Sequence, residues 1–211
     1  MFFKIKSIKV IPNSKKLVNN IDGLHLVEGS NLFLLNTNKF INYLQESNPE
    51  LSNVNIQKQY PNTLKIFYKL KEPIAFIKTN NGYLYLSDGA KILSKVKKID
   101  SKKKLTEILY YQIFDYSINS IGDTLDFTDI RYSLEFLKKI KNFELVVESI
   151  DINSPSMIRL NLNKSVVIFT TEKDIDGQIN NLDKIIRQFK VEGKSFSLLD
   201  LRFDKPILKL N

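Results

Sequence analysis

The sequence predicts an α+β fold in two parts. Residues 1–72 read as a β-α-α-β-β module, and residues 73–211 as a β-rich part with two helices and a C-terminal edge strand. Three observations predict it. Leu64, Ile66, Tyr68 and Leu70 alternate with Lys65, Phe67, Lys69 and Lys71, the period of a half-buried strand. Ile175, Ile179, Leu182, Ile186 and Phe189 recur at helical spacing. Between these patterns Glu72-Pro73 breaks the chain's alternation.

The elements follow in order. Residues 5–11 alternate enough for a short strand, and Pro12-Asn13-Ser14 marks a turn. A short helix is expected over 15–22, with Gly23 as its stop. Asn36 or Thr37 can cap a second helix whose Phe40, Tyr43, Leu44 and Ser47 share a face. Pro49 ends that helix at or before Asn48. Val54, Ile56 and Tyr60 then lie on one side of a strand that turns at Tyr60-Pro61-Asn62-Thr63 into residues 64–71.

Past Pro73, two strands flank Asn80-Asn81-Gly82, and Asp88-Gly89 marks the next turn. Residues 91–104 hold seven lysines and one aspartate, which reads as a solvated loop, with lipid headgroups or an acidic partner as the alternative. A helix is expected over 128–141, with Ile130, Leu134 and Leu137 on one face. Three strands follow, at 143–152, 157–163 and 165–171, the last two joined by a tight turn at Asn163-Lys164. Thr171 with Asp174 resembles a capping box for the final helix. Asp174 and Asp176 read as helix-start charges rather than catalytic carboxylates.

Composition narrows the function classes. The chain has 211 residues, 43% hydrophobic with 14 Phe, enough to bury a core. No apolar run approaches the roughly 18 residues of a membrane helix, and lysines interrupt the apolar N-terminal residues, unlike a signal peptide. The absence of cysteine excludes disulfides, cysteine zinc sites and thiol catalysis. A net charge of +9 can attract nucleic acid, anionic lipid or acidic protein. His25 is the one histidine and reads as a loop residue. Neither a nucleophile elbow nor a phosphate-binding glycine loop is present. No cofactor or metal is expected, and nothing in the chain argues for an enzyme.

The closing stretch SLLDLRFDKPILKL, Ser197 to Leu210, reads as strand, proline, and more strand. Leu199, Leu201 and Phe203 are expected on one face, and Asp200, Arg202 and Asp204 on the other. Pro206 cannot donate to a central ladder, so the segment is expected at a sheet edge. A free edge can accept a strand from a partner; a strand paired on both sides would only complete the sheet. The candidate partner-binding residues are Leu201, Arg202, Phe203, Asp204, Lys205, Pro206, Ile207, Leu208, Lys209 and Leu210. Lys205 and Lys209 would favour an acidic partner. Arg202 either meets an acidic partner side chain or pairs with Asp200 or Asp204. Phe203 is either core or an exposed anchor.

The run YPNTLKIFYKLKEPIAFI resembles the POTRA domain of the FtsQ/DivIB family of bacterial division proteins, with Tyr60, Pro61, Thr63, Leu64, Ile66, Glu72, Pro73, Ile74 and Ala75 in matching places. NLFLLNTNKFINYL, GYLYLSDGAKI and SLLDLRFDKPILKL are similar to three further family stretches in the same order. Asn36 stands where Asp is common, Lys71 precedes Glu72 where an Arg usually follows it, and residues 91–127 match poorly. The resemblance implies a POTRA-like domain over 1–72 and a β domain over 73–211. It implies a divisome scaffold in septum formation that recruits FtsB- and FtsL-like partners, with FtsB adding a strand to the last strand. It also implies a single-pass protein of the cytoplasmic membrane, anchored by a helix upstream of this chain, with these residues in the periplasm or extracellular space. Alternatives are a POTRA-type polypeptide-binding module of an outer-membrane assembly or secretion system, and a basic nucleic-acid-binding protein.

Overall fold

The structure is a computed structural model that describes residues 3–13, 20–143 and 145–210. The chain forms two compact units, Met1–Glu72 and Pro73–Asn211.

In the first unit, β1 (Ser7–Pro12) runs parallel to β3 (Thr63–Leu70), and β2 (Leu51–Gln59) flanks β3 antiparallel, giving the order β1-β3-β2. Helix α1 (Thr37–Ser47) starts where the Asn36 side chain accepts the Lys39 N–H at 3.0 Å. It buries Phe40 and Leu44 against Leu64, Ile66 and Tyr68, the inward set of β3. Asn53 takes a left-handed φ of 47° where β2 bulges, a conformation asparagine tolerates. Tyr60 does not continue β2: it lies exposed in the turn, edge-to-face with Phe3 at 5.8 Å. Most of the helix expected over 15–22 falls outside the described residues. Residues 20–22 are not helical, and a 3₁₀ turn at Leu24–Leu26 carries His25. Asn48, buried, closes the far end of α1. Its Oδ1 accepts the Asp22 N–H at 2.8 Å, and its Nδ2 donates to the carbonyls of Asp22 and Leu44 at 3.1 and 2.8 Å.

The second unit is one nine-stranded sheet. Its strands are β4 (Ala75–Thr79), β5 (Gly82–Leu86), β6 (Ile92–Val96), β7 (Thr106–Tyr110), β8 (Val147–Ser154), β9 (Met157–Leu162), β10 (Val166–Thr170), β11 (Phe196–Asp200) and β12 (Ile207–Leu210). They lie in the order β12-β11-β10-β9-β8-β7-β4-β5-β6. The β4–β7, β7–β8 and β10–β11 pairs are parallel. All three parallel steps need crossovers: the chain through β5 and β6 supplies the first, and α2 (Thr128–Ile140) and α3 (Ile175–Glu192) supply the other two. Both helices bury apolar faces in one core with Ile108, Ile150, Leu160, Val167 and Leu199. Phe136 of α2 stacks on Phe169 of β10 at 4.0 Å, and Lys139 of α2 bonds Asp176 of α3 at 2.7 Å. Alternate residues such as Asp151, Arg159 and Ile168 therefore face away from the helices. Gly82 is required at its turn: at φ 142°, a Cβ there would lie 2.5 Å from the Val96 carbonyl oxygen.

Three expectations change here. The lysine-rich segment is not all loop, because Ile92–Val96 is a strand with Ile92 and Leu93 buried. Lys95, half-buried, and Lys97, exposed, lie 4.4 and 4.1 Å from the Tyr116 ring centre. The N-cap of α3 is Asp174, accepting the Gly177 N–H at 2.7 Å, whereas Thr171 bonds the Pro155 carbonyl. The chain after Asp200 is not one extended strand but turns back as a hairpin.

Candidate functional site

The C-terminal hairpin begins with β11, held in the sheet by its parallel pairing to β10. Leu201 still lies alongside β10, its N–H donating to the Ile168 carbonyl at 2.8 Å, and its side chain is buried. The chain then bends. Asp200, 4% exposed, folds its carboxylate back over the turn. Its Oδ1 accepts the Arg202 N–H at 3.1 Å, an Asx-turn. The Arg202 guanidinium grips the same carboxylate, Nε to Oδ1 at 3.0 Å and Nη2 to Oδ2 at 2.7 Å. Nη1 reaches Met157 Sδ at 3.3 Å, and the guanidinium carbon lies 5.5 Å from the Phe203 ring centre.

Burial by itself would raise the Asp200 carboxyl. The hydrogen bonds from the Arg202 side chain and N–H, with the guanidinium charge, outweigh it and hold the carboxyl below its ordinary range. The same carboxylate raises Arg202. Further round the turn, Lys173 bonds Asp204 at 2.7 Å and lowers that carboxyl. Of the two roles the sequence left open for Arg202, the structure shows the pairing with Asp200. Phe203 does not share the core with Leu199 and Leu201: it is 49% exposed, because the strand has already ended.

Pro206 sits just before β12 and ends the turn, instead of interrupting a strand. β12 returns antiparallel to β11, with Asp200↔Ile207, Leu199↔Leu208 and Leu198↔Lys209 opposite one another. Leu208 packs against the core, whereas Ile207 and Leu210 are each 51% exposed and Lys205 and Lys209 are exposed. The direction of the backbone follows from Leu201. Its N–H faces β10, so Leu199 faces β10 too, and Leu198 and Asp200 face β12. Ile207 and Lys209 accordingly turn their N–H and C=O toward β11, and Leu208 turns its own outward. Among the described residues no strand pairs with that outer side.

The opposite edge of the sheet is treated differently. Ile92 of β6 donates to the Asp123 carbonyl at 2.8 Å and accepts the Gly122 N–H at 2.9 Å, and Lys91 bridges to Thr124. Lys95 Nζ bonds the carbonyls of Tyr116 and Asn119. The 116–124 segment thus lies along β6, while among the described residues no strand pairs with the outer side of β12.

Comparisons with known proteins agree along the chain. Residues 3–69 match the POTRA domain of FtsQ type. The chain is similar to Cell division protein DivIB of Clostridium acetobutylicum, 25% identical over 217 residues, covering 99% of this chain and 84% of that protein. It is also similar to Cell division protein DivIB of Clostridium botulinum, strain Hall, 23% identical over 211 residues and covering 96% and 80%. Cell division protein DivIB of Clostridium tetani is 23% identical over 196 residues, covering 89% and 71%.

Proposed function

This chain belongs to the FtsQ/DivIB family of cell-division proteins, and from that premise we propose that it is a non-enzymatic divisome scaffold whose β12 edge receives a strand from an FtsB-like partner, with an FtsL-like protein in the same assembly. The region acts outside the cytoplasmic membrane, in the periplasm or extracellular space, as part of a single-pass protein.

The observation that carries this reading is the asymmetry of the nine-stranded sheet. A bare edge invites promiscuous pairing, and proteins normally cover, shorten or charge such edges. Here β6 is covered by a loop, whereas β12 keeps an outward-facing Leu208 backbone beside exposed Ile207, Leu210 and Phe203. Lys205 and Lys209 guard it against neutral strands and favour an acidic one. Arg202 acts indirectly: its grip on Asp200 fixes the turn that presents β12. The side chains that meet the partner are then Phe203, Ile207, Lys209 and Leu210.

Hydrogen exchange tests this with the cognate FtsB- and FtsL-like ectodomains. The Leu208 amide should become protected on complex formation, together with slower exchange in the partner's pairing strand. Protection confined to the first unit, or to β6, would overturn the site.

A further inference from the structure

A second surface lies at the other half of the same sheet. β4 and β7 run parallel through Ile77↔Ile108 and then part. The chain bows out over 109–113 and returns to β4 at Phe114, which bridges Thr79 and accepts the Asn80 N–H at 3.1 Å. The gap is a cavity of about 520 Å³, lined by Lys78, Thr79, Leu109, Tyr110, Gln112 and Ile113 among others. Its rim is strongly apolar, with Ile113 81% exposed and Leu109 48%. Its wall is fixed: Tyr110 stacks on Phe114 at 5.1 Å, and its hydroxyl lies 3.3 Å from the Tyr111 hydroxyl and 3.4 Å from Asp129 Oδ1.

Two polar groups bear on the opening, Lys78 in its lining and Asp151 one strand beyond Leu109. The Lys78 side chain makes no hydrogen bond or ion pair among the described residues. On the next strand, Asp151 stands opposite Leu109, and its Oδ1 is buried with no donor. A buried acceptor without a donor costs stability until something supplies one. Cation, apolar mouth and orphan acceptor therefore follow one another across β4, β7 and β8, spanning roughly 10 Å at the strand spacing.

We propose that this opening is a second docking site, which takes a polypeptide segment of a partner protein carrying a carboxylate, a large apolar side chain and a hydrogen-bond donor in succession. The apolar side chain fills the cavity, the carboxylate meets Lys78, and the donor satisfies Asp151. The site lies five strand steps, roughly 24 Å, from β12, so it neither uses nor blocks that edge.

A displayed library of random 12-residue peptides, selected on the whole chain, tests the proposal. Enriched peptides should share a carboxylate next to Leu, Ile or Phe. They should shift amide resonances of residues 78–80 and 108–113. Affinity should fall at least about tenfold with Ile113→Asp, an exposed position that leaves the core untouched, and also with Lys78→Glu. Leu208→Pro should leave it unchanged, which separates this site from the strand edge. Failure to enrich any peptide, enrichment without the acidic and apolar bias, or equal binding to the Ile113→Asp chain would overturn it. Concentration-dependent dimerisation abolished by Ile113→Asp would also overturn it, assigning the surface to a second copy of the chain.

Discussion

Replacing Leu208 with proline and with alanine separates the backbone of β12 from its packing. Leu208 directs its N–H away from β11, so proline removes a donor that the hairpin itself does not use. Alanine keeps that N–H. Both variants lose the leucine side chain, which is half-buried against the core. That loss costs about 1–2 kcal/mol of stability, below the 2–5 kcal/mol of a fully buried leucine. The difference between the two variants therefore reports the outward donor.

A strand added at this edge would leave one carbonyl buried and unpaired against the proline. That penalty is about 1–3 kcal/mol, or about 5- to 150-fold in dissociation constant. The assay is calorimetric or interferometric titration of parent, Leu208→Ala and Leu208→Pro with the cognate FtsB-like ectodomain, alone and with its FtsL-like companion. Thermal unfolding of each chain establishes that the fold survives. Binding by the proline chain within about twofold of the alanine chain, both folded, would refute the claim that the Leu208 N–H is the docking donor.

Other perturbations follow from the same geometry. Asp200→Asn should destabilise the hairpin by about 1–3 kcal/mol, since the pair is buried on the Asp side but about one-third exposed on the Arg side. Because the folded Asp200 carboxyl is depressed, the parent keeps this stabilisation above about pH 4 and loses it as pH falls through the folded value; chemical denaturation at several pH values should show that acid limb flattened in the variant. Gln178→Ala removes both partners of the buried Thr170 backbone, whose N–H and C=O each bond the Gln178 amide at 2.9 Å. The expected loss is about 2–5 kcal/mol, on the order of 10 °C in melting temperature, read by calorimetry. Asn48→Ala should weaken the first unit by about 2–4 kcal/mol, with hydrogen exchange accelerating in residues 20–70 and unchanged beyond Pro73.

Where the decisive interaction is local, the sequence shows it. The alternation at 64–70, the Asn36 cap, the helical spacing of α2 and α3, and the Asn163-Lys164 turn all depend on residues within a few positions of one another. What escaped depends on distant partners. β6 was hidden because its lysines mimic a loop, yet lysine suits an edge strand and Lys95 finds carbonyls more than 20 residues away. The order of the nine strands departs from chain order at one place, where β7 returns beside β4 and not beside β6, a long-range pairing that no local pattern announces. Gln178 resembles any polar helix residue until it folds onto Thr170. The hairpin after Asp200 did leave a signal: Asp200 two residues before Arg202, then Asp204 and Pro206, are turn-forming residues within seven positions. Read as continuous alternation, they gave the correct edge and the wrong side for Phe203.

The size of β12 bears on how such a scaffold could hold a partner. Four residues offer an added strand roughly two to four backbone hydrogen bonds, worth about 1 kcal/mol each. Covering the exposed halves of Phe203, Ile207 and Leu210 contributes about 1 kcal/mol apiece. The gross gain of about 5–7 kcal/mol falls short of the 8.2 kcal/mol of a micromolar complex, even before the cost of association. A partner held through this edge alone would therefore exchange rapidly, and durable assembly requires a second contact, from further along the same partner or from another component. The cavity beside Ile113 is placed to provide one without competing for the edge. Linking the two contacts through one assembly would make the second binding step intramolecular, multiplying the weak affinities. The Ile113→Asp and Leu208→Pro changes should then each weaken a complete complex by up to the factor by which each weakens its own isolated contact, and the double change by up to the product of the two.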